Sequence, residues 1–191
     1  EAPQAYLDRF PNIADANHRT YAAMISALDD GVGAVLEAVR AAGVEEDTLL
    51  VFLSDNGAPG PYGSNTPFHG AKKSVAEGGI RVPFLMRWPR IIPAGQVYAD
   101  PVISLDVFST AATAAGAPIP ADRTIDGVDL IPFLNNDKPG PPHPMLFWKW
   151  IDGEAVRSTR WKLRKSATGT PELYDISTDP GETRDKAAEN S

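Results

Sequence analysis

Residues 48–57, TLLVFLSDNG, decide the fold, because an apolar run there ends abruptly in small and polar residues. The run shows no alternation of apolar and polar side chains. This is typical of a strand that is buried on both faces, as in a parallel sheet flanked by helices. In open α/β sheets, ligands lie at the carboxyl ends of strands. We therefore expect Asp55 and Asn56 to stand at a ligand-binding edge of the sheet.

The residues before this strand carry the apolar stripe of a helix. Its members follow one another at spacings of 3, 1, 3, 4, 3, 1 and 3 residues: Tyr21, Met24, Ile25, Leu28, Val32, Val35, Leu36 and Val39. Gly43 supplies the stop, since glycine accepts the left-handed conformation just past a helix end. A helix followed by a buried strand is half of a βαβ unit, so the predicted fold class is α/β. Residues 1–17 hold two prolines without a clear period and are predicted to be a loop.

Further elements follow along the chain. Residues 57–71 form a loop rich in Gly and Pro, and residues 81–88 (RVPFLMRW) read as a strand that Pro83 places near an edge or a bulge. Residues 104–115 are predicted to be a helix that ends at Gly116. Ser104 or Asp106 could cap its start.

After the proline-rich residues 138–144 the composition shifts toward strands. Three strands are predicted, with turns at residues 152–153 and 168–169: residues 145–150, 155–165 and 172–176. They would form a small antiparallel meander. A boundary near Gly140 divides the chain into residues 1–140 and a C-terminal subdomain of residues 141–191. Residues 178–191 are polar and charged, and are predicted to be a tail on the surface.

Composition narrows the class of protein. The 191 residues are 42% hydrophobic, enough for a real core, and carry a net charge of −7. This charge excludes a general nucleic-acid or polyanion surface, so an anionic ligand needs placed cations or a metal. There are no cysteines, and no run of 18 apolar residues that could span a membrane. The start at Glu1 has neither an initiator Met nor a signal-peptide pattern, so we expect the chain to begin inside a longer protein.

Two short segments carry candidate chemistry. Asp55 and Asn56 offer a carboxylate and an amide oxygen, which are hard donors for Ca²⁺ or Mg²⁺. Residues 72–83 (KKSVAEGGIRVP) place Lys72 near a glycine pair that lets backbone approach a ligand, and a lysine can hold a tetrahedral oxyanion as a point charge. Taken singly, the first segment is more typical of a turn. The second is more typical of a solvated basic loop with Glu77 and Arg81 paired on the surface.

Together, and in this order, the two segments resemble the sulfatase family within the alkaline-phosphatase-like superfamily. Further segments resemble the family in its own order: residues 21–33, 104–110, 125–129, 156–162, 172–175 and 179–182. Residues 63–68 (GSNTPF) are similar to the branch of N-acetylgalactosamine-6-sulfatase and arylsulfatase A. The resemblance implies part of an alkaline-phosphatase-like mixed sheet flanked by helices, followed by a small antiparallel C-terminal subdomain.

The resemblance also implies roles for single residues. Asp55 and Asn56 match the second pair of ligands to one Ca²⁺ ion, and Lys72 matches the lysine that holds the sulfate and balances the charge of the leaving group. Lys73 stands where the family usually has a small residue, and His69 where many members have Arg or Leu, so neither receives a role. His18 and His143 match no catalytic position. Asp29 and Asp30 flank the helical stripe and are predicted to be structural.

The expected activity is calcium-dependent hydrolysis of sulfate esters by a formylglycine nucleophile. The family's nucleophile motif, Cys-x-Pro-x-Arg or Ser-x-Pro-x-Arg, does not occur in these residues. We therefore expect a C-terminal portion of a sulfatase, inactive by itself. The expected partner is a sulfated small molecule or glycan, with no nucleic acid. The resemblance implies a periplasmic, extracellular or lysosomal location.

Two alternatives compete with this interpretation. One is a phosphate or phosphonate ester hydrolase of the same superfamily, although these more often have His in place of Asn56. The other is a non-catalytic glycan-binding module that stacks sugars on Trp88, Trp148, Trp150 and Trp161. Three of these, Trp148, Trp150 and Trp161, have the spacing of core residues on strands, which favours packing.

Overall fold

The computed structural model describes residues 1–151, 153–166 and 168–189. The helices are α1 (Gln4–Leu7), α2 (Ala16–Ala41), α3 (Glu77–Ile80), α4 (Asp106–Ala114) and α5 (Ile131–Leu134). The strands are β1 (Leu50–Leu53), β2 (Phe84–Arg87), β3 (Leu146–Trp150), β4 (Gly153–Arg157), β5 (Trp161–Ser166) and β6 (Glu172–Asp175). Short 3-10 turns span Glu45–Asp47 and Ala187–Glu189. Among the described residues, none of the helices is both long and apolar enough to cross a bilayer.

Helix α2 follows from its local sequence. The side chain of Asp15 accepts a hydrogen bond from the main-chain N–H of His18 and so caps the first turn. The helix ends at Ala41, and Gly43 follows in the left-handed region with φ of 70°. The predicted helix and its glycine stop are confirmed. The prediction that residues 1–17 are all loop is wrong, because α1 forms a turn of helix there.

Strand β1 is confirmed, but its predicted setting is not. Its partner in the described part of the chain is β2, and the two pair antiparallel, with Leu50 opposite Arg87 and Leu53 opposite Phe84. Phe52 remains 39% exposed. The prediction of a doubly buried strand with parallel neighbours is therefore wrong for these residues. An apolar run shows that both faces need cover, but it specifies neither the covering segment nor the direction of the neighbour.

The region after β1 largely follows the prediction. Strand β2 begins directly after Pro83, whose carbonyl accepts a hydrogen bond from the N–H of Ser54 (3.2 Å). Helix α4 is confirmed, and Gly116 follows it with φ of 65°.

Asp106 does not act as the predicted helix cap. Its carboxylate accepts main-chain N–H groups of Ile103 (2.8 Å) and Val128 (2.9 Å) and lies 2.8 Å from Nε2 of His143. These contacts join three segments of the chain at the carboxylate of Asp106, which is fully buried. His143 serves as a structural partner in this contact.

The C-terminal strands form an antiparallel sheet of order β3-β4-β5-β6. The predicted meander is confirmed with four strands instead of three. The predicted strand over residues 155–165 is broken at Ser158, whose N–H donates to the carbonyl of Trp161 (2.8 Å) and whose Oγ accepts from the N–H of Trp161 (3.0 Å). Of the predicted turn at residues 152–153, residue 152 lies outside the described residues. The boundary near Gly140 stays a prediction.

Buried apolar residues lie on one face of this sheet, called the inner face below, in the segment before α3 and around α5. They include Val75, Leu130, Phe133, Leu146, Ala155, Tyr174 and Ile176. Residues 178–189 lie against this part of the sheet. The prediction of a surface tail is wrong for Glu182, which is only 6% exposed, while Thr183, Arg184 and Asp185 are exposed as expected. The N–H of Lys186 donates to the carbonyl of Leu173 (2.7 Å). Residues 190–191 lie outside the described part of the chain.

The tryptophans divide between packing and exposure. Trp88, Trp148 and Trp161 are half-buried, in agreement with a packing role for the last two. Trp150 is 47% exposed, so the packing prediction is wrong for this residue. It is the last residue of β3 and lies opposite Gly153 of β4, which has no side chain to cover the indole.

Candidate functional site

The two candidate segments lie side by side. The N–H of Gly57 donates to the carbonyl of Gly79 (2.9 Å), and the N–H of Lys72 donates to the carbonyl of Ala58 (3.2 Å). These main-chain hydrogen bonds join the residues after β1 to both ends of the segment that carries Lys72. Asp55 and Asn56 directly precede one bonded residue, and Lys72 is itself another. The sequence prediction placed the two segments in one site, and the backbone geometry is compatible with it.

Glycine is required for this close approach. A Cβ at Gly57 would lie 1.8 Å from the carbonyl oxygen of Gly78, and a Cβ at Gly79 would lie 2.0 Å from that of Ser74. A Cβ at Gly78 would lie 2.4 Å from the carbonyl oxygen of Gly70. The glycine pair therefore serves contact between backbones, and the expected role of letting backbone approach a ligand is not what these contacts show.

Asn65 fixes the loop that connects the two segments. Its Oδ1 accepts from the N–H of Ala58 (2.8 Å), and its Nδ2 donates to the carbonyl of the same residue (3.1 Å). Ser54 adds a hydrogen bond from its hydroxyl to the carbonyl of Asn56 (2.8 Å). The backbone beneath the candidate ligands is thus held rigidly. Asn65 was not singled out in the sequence, because nothing in its spacing marks an amide that binds backbone seven residues away.

The candidate metal ligands are accessible. Asp55 is exposed and Asn56 is half-buried. A carboxylate and an amide oxygen suit a hard cation such as Ca²⁺, which takes six to eight oxygen ligands. Within the described ranges, no group of three or more His, Cys, Asp or Glu side chains is placed to hold a metal. The pair therefore fits as part of a calcium shell, which needs further oxygen ligands beyond these two.

Lys72 is a cation without a local counter-charge. Its side chain is exposed, and no carboxylate of the described residues lies within 4.0 Å of its ammonium group. An exposed, unpaired ammonium is available to an anion. His69, three residues earlier, is also exposed, and its carbonyl accepts the N–H of Gly78 (2.6 Å).

A buried ionic cluster includes Glu77, which lies in the same segment as Lys72. The Nζ of Lys162 lies 3.1 Å from Oε1 of Glu77 and 3.2 Å from Oε1 of Glu182. Lys162 is 0% exposed and Glu77 is 1% exposed. Buried charges of this kind require partners, because removing an ion from water costs several kcal/mol. The predicted surface pair of Glu77 and Arg81 is wrong in its setting, since Arg81 contacts Glu77 at 3.7 Å but that carboxylate is buried.

The cluster ties the C-terminal sheet to the first residue of α3. The main-chain N–H of Glu77 donates to Oε2 of Glu182 (2.7 Å). Arg157 of β4 approaches Glu77 at 3.2 Å, and Arg164 of β5 approaches Glu182 at 3.5 Å. These contacts hold the segment that begins with Lys72. Sequence reasoning missed them because the partners lie up to 105 residues apart, where no spacing rule applies.

Asp30, one of the two neighbouring carboxylates on α2, contributes to structure. Asp30 forms an ion pair with Arg9 at 2.7 Å, and Arg9 also lies over the ring of Tyr6. This pair joins α2 to the chain after α1. The structure thus gives Asp30 the structural surroundings that were expected.

Two family models match the chain. The model described as "Sulfatase" matches residues 1–117. The model described as "N-sulphoglucosamine sulphohydrolase, C-terminal" matches residues 68–191.

Curated relatives are sulfatases. Steryl-sulfatase of Mus musculus is 36% identical over an alignment of 212 positions, which covers 87% of this chain and 33% of the relative. N-acetylgalactosamine-6-sulfatase of Homo sapiens is 30% identical over an alignment of 207 positions, which covers 90% of this chain and 40% of the relative. The chain thus spans a third to two fifths of the length of these relatives.

Solved structures agree with the sequence matches. Ps i-CgsB, solved in complex with k-i-k-neocarrahexaose, superposes with a TM-score of 0.91 at 34% identity, over 100% of this chain and 43% of that one. A second protein, solved with its substrate D-glucosamine-2-N,6-O-disulfate, superposes with a TM-score of 0.75 at 25% identity, over 91% of this chain and 37% of that one. The likeness confirms the predicted α/β fold of the alkaline-phosphatase-like type. By fold and by sequence, the chain belongs to the sulfatase family.

Proposed function

We propose that this chain is part of a calcium-dependent sulfatase and carries the portion of the site that binds the sulfate group. The observation that carries the proposal is the pair of main-chain hydrogen bonds that set Lys72 beside the segment of Asp55 and Asn56. Family membership supplies the reaction type. The geometry supplies a cation and two hard oxygen donors on neighbouring segments.

The chemistry suits a lysine at this place. Hydrolysis of a sulfate ester consumes water, breaks the bond between sulfur and the bridging oxygen, and releases sulfate and an alcohol. Negative charge develops on the bridging oxygen, where the ammonium group of Lys72 would stabilise it. Asp55 and Asn56 would hold the Ca²⁺ ion, which when bound polarises the oxygens of the sulfate.

The formylglycine nucleophile is proposed to lie outside these residues, because its motif does not occur among them. The backbone of the candidate ligands would remain in place through Asn65 and the glycine contacts. The chain's own contribution is therefore binding and charge stabilisation. A periplasmic, extracellular or lysosomal location is proposed on the family resemblance alone.

The proposed substrate class is a sulfated small molecule or a sulfated glycan. The names of the relatives support sulfate esters of a steroid or of an amino sugar, and the disulfated glucosamine bound by one solved neighbour supports a sulfated sugar. The net charge of −7 also fits recognition of an anionic substrate by a few placed cations better than recognition by a broad basic surface.

The test is an assay of the full-length protein that contains this chain, with an aryl sulfate and an aryl phosphate, each with Ca²⁺ and with a chelator. We expect calcium-dependent turnover of the sulfate, and a loss of about 100-fold or more in kcat/KM for Lys72→Ala. Lys149→Ala, an exposed lysine paired with Glu154, is the matched control and should retain activity.

Three outcomes of this assay would contradict the proposal. Unchanged turnover in Lys72→Ala would remove the lysine from the mechanism. A preference for the aryl phosphate would favour the alternative of a phosphate or phosphonate ester hydrolase. Turnover by the 191 residues alone, at the level of the full-length protein, would contradict the expectation that they are inactive by themselves.

A further inference from the structure

Lys72 stands on a short turn that Ser74 closes. The N–H of Ser74 donates to the carbonyl of Ala71 (3.0 Å), and the Oγ of Ser74 accepts from the N–H of Ala76 (3.0 Å). Glu77 follows Ala76 directly and begins α3. The position of Lys72 on this turn is therefore coupled, through Ser74, to the backbone at Glu77.

The backbone at Glu77 is fixed by side chains of the C-terminal region. Its N–H donates to Oε2 of Glu182 (2.7 Å), whose other oxygen, Oε1, lies 3.2 Å from Nζ of Lys162. The carboxylate of Glu77 lies 3.1 Å from the same Nζ. The side chains of Lys162 and Glu182 are both 0% exposed, so water cannot replace a contact that either of them loses.

Glu182 makes these contacts from a costly backbone conformation. Its φ of 51° lies in the left-handed region, which a residue with a Cβ adopts only at a cost in free energy. A Cβ at the preceding Gly181 would lie 3.0 Å from the carbonyl oxygen of Pro67, so this segment also packs against the loop before Lys72. Conformations of this kind persist where the surrounding contacts determine them, and they cluster at functional sites.

The two residues after Glu77 extend the constraint to both sides of the candidate site. The N–H of Gly78 donates to the carbonyl of His69 (2.6 Å), on the loop before the candidate lysine. The carbonyl of Gly79 accepts from the N–H of Gly57 (2.9 Å), directly after the candidate metal ligands. A displacement of Glu77 would therefore disturb the placement of the lysine relative to these ligands.

We propose that Lys162 and Glu182 are positioning residues for the reaction, which keep the ammonium group of Lys72 within reach of the bridging oxygen of the sulfate ester. The inference rests on the proposed function and adds two residues that are closed to solvent and so do not touch the substrate. A misplacement of about 1 Å at a catalytic group can cost on the order of 100-fold in rate. The buried ions thus act on catalysis through the placement of Lys72.

The test compares two aryl sulfates that differ in their leaving group, nitrophenyl sulfate and phenyl sulfate. Phenolate is the more basic leaving group and depends more on charge stabilisation at the bridging oxygen. A variant that only loses folded protein lowers kcat/KM for both substrates by the same factor, because less active enzyme is present. A variant that misplaces Lys72 lowers it more for phenyl sulfate.

In the full-length protein, Glu182→Gln should lower kcat/KM about tenfold more for phenyl sulfate than for nitrophenyl sulfate. Its amide has one oxygen, which cannot serve both the N–H of Glu77 and Lys162. Lys162→Gln should shift the ratio of the two substrates in the same direction. On the background of Lys72→Ala, Glu182→Gln should leave the ratio unchanged, since no ammonium group is left to position.

Leu130→Ala is the control for a loss of stability. Leu130 lies just before α5 and is 2% exposed, so its truncation leaves a cavity away from the turn of Lys72 in sequence. This variant should lower kcat/KM for both aryl sulfates by the same factor. Lys149→Gln, at an exposed position of the same sheet as Lys162, should leave both values unchanged.

Amide hydrogen exchange tests the anchor without turnover. In Glu182→Gln, exchange at the N–H groups of Ser74 and Gly78 should accelerate, while exchange within α4 stays as in the unaltered protein. An equal loss for both aryl sulfates in Glu182→Gln, or unchanged exchange at these two amides, would overturn the positioning role. A missing turnover of aryl sulfate by the unaltered full-length protein would instead overturn the proposed function, and accelerated exchange in Glu182→Gln would still show the anchor.

Discussion

Helix α2 and the inner face of the C-terminal sheet differ in how far their side chains are exposed to solvent. On α2, Ala23 is the buried residue, and the apolar side chains of Met24, Ile25, Leu28 and Val35 are 49–56% exposed. On the inner face of the sheet even a lysine is excluded from water, since Lys162 is 0% exposed. Neighbours on that face, Leu146 and Tyr174, are 5% and 4% exposed.

The difference shows that burial in this chain follows the available partners more than the type of residue. The inner face of the sheet is covered within the chain by the segment of Val75 and Glu77 and by residues 178–189. The apolar stripe of α2 has little such cover, and Phe52 and Leu85 on the paired strands are also open, at 39% and 57% exposed.

The largest expected effect concerns the buried lysine. Lys162→Met should lower the free energy of unfolding by about 3–5 kcal/mol, because it leaves the carboxylates of Glu77 and Glu182 buried without their shared cation. Urea unfolding of the purified protein measures the change. Lys149→Met, which removes a lysine that is 81% exposed, is the control and should cost below about 1 kcal/mol. Equal costs in the two variants would mean that the cluster is open to water.

The second prediction compares two leucines. Leu146→Ala should cost about 2–5 kcal/mol, since Leu146 is 5% exposed and its removal leaves a cavity. Leu28→Ala should cost below about 1 kcal/mol, because Leu28 is 52% exposed and loses little burial. The same unfolding experiment measures both. A large cost for Leu28→Ala would break the contrast and would mean that another surface covers α2 in solution.

Much of the fold could be predicted from the sequence because it depends on interactions between residues close together in the chain. The stripe of α2, its stop at Gly43 and the apolar run of β1 depend on neighbours a few residues apart, where period and propensity act. The break at Ser158 was missed because a side-chain hydrogen bond to a residue three positions away creates it, inside a run that reads as one strand. The direction of β2 was missed because pairing depends on the whole sheet.

The candidate site could be predicted from the sequence only in part. Asp55, Asn56 and Lys72 were chosen by residue type and by resemblance, and their roles stay predictions. The hydrogen bonds that bring their segments together come from glycine contacts that the sequence shows only as glycines. The ionic cluster of Glu77, Lys162 and Glu182 was out of reach, because its members are separated by 85 and 105 residues and each looks like an ordinary surface charge.

The smallest expected effect is a pH dependence of thermal stability, which arises at the end of the C-terminal sheet. Hydrogen bonds from Arg160 hold the pKa of Asp175 at about 2, below its ordinary value of 3.8. The folded state therefore favours the ionised carboxylate. The resulting stability is fully present above pH 3.8, the pKa of the unfolded chain, and is lost as the pH falls toward 2. Tm should decline between pH 4 and pH 2.

Asp175→Asn sharpens this prediction, because the amide cannot titrate and the decline in Tm should become shallower. Asp175 is 2% exposed, and its partner Arg160 belongs to the break between β4 and β5, so the pair reports on the end of the sheet at this break. Asp137→Asn, at an exposed position after α5, is the control and should leave the decline as it is. If the Tm of Asp175→Asn falls as steeply as that of the unaltered protein, the acid sensitivity of the fold lies elsewhere. The end of the sheet at Asp175 would then be stable without a contribution from this ion pair.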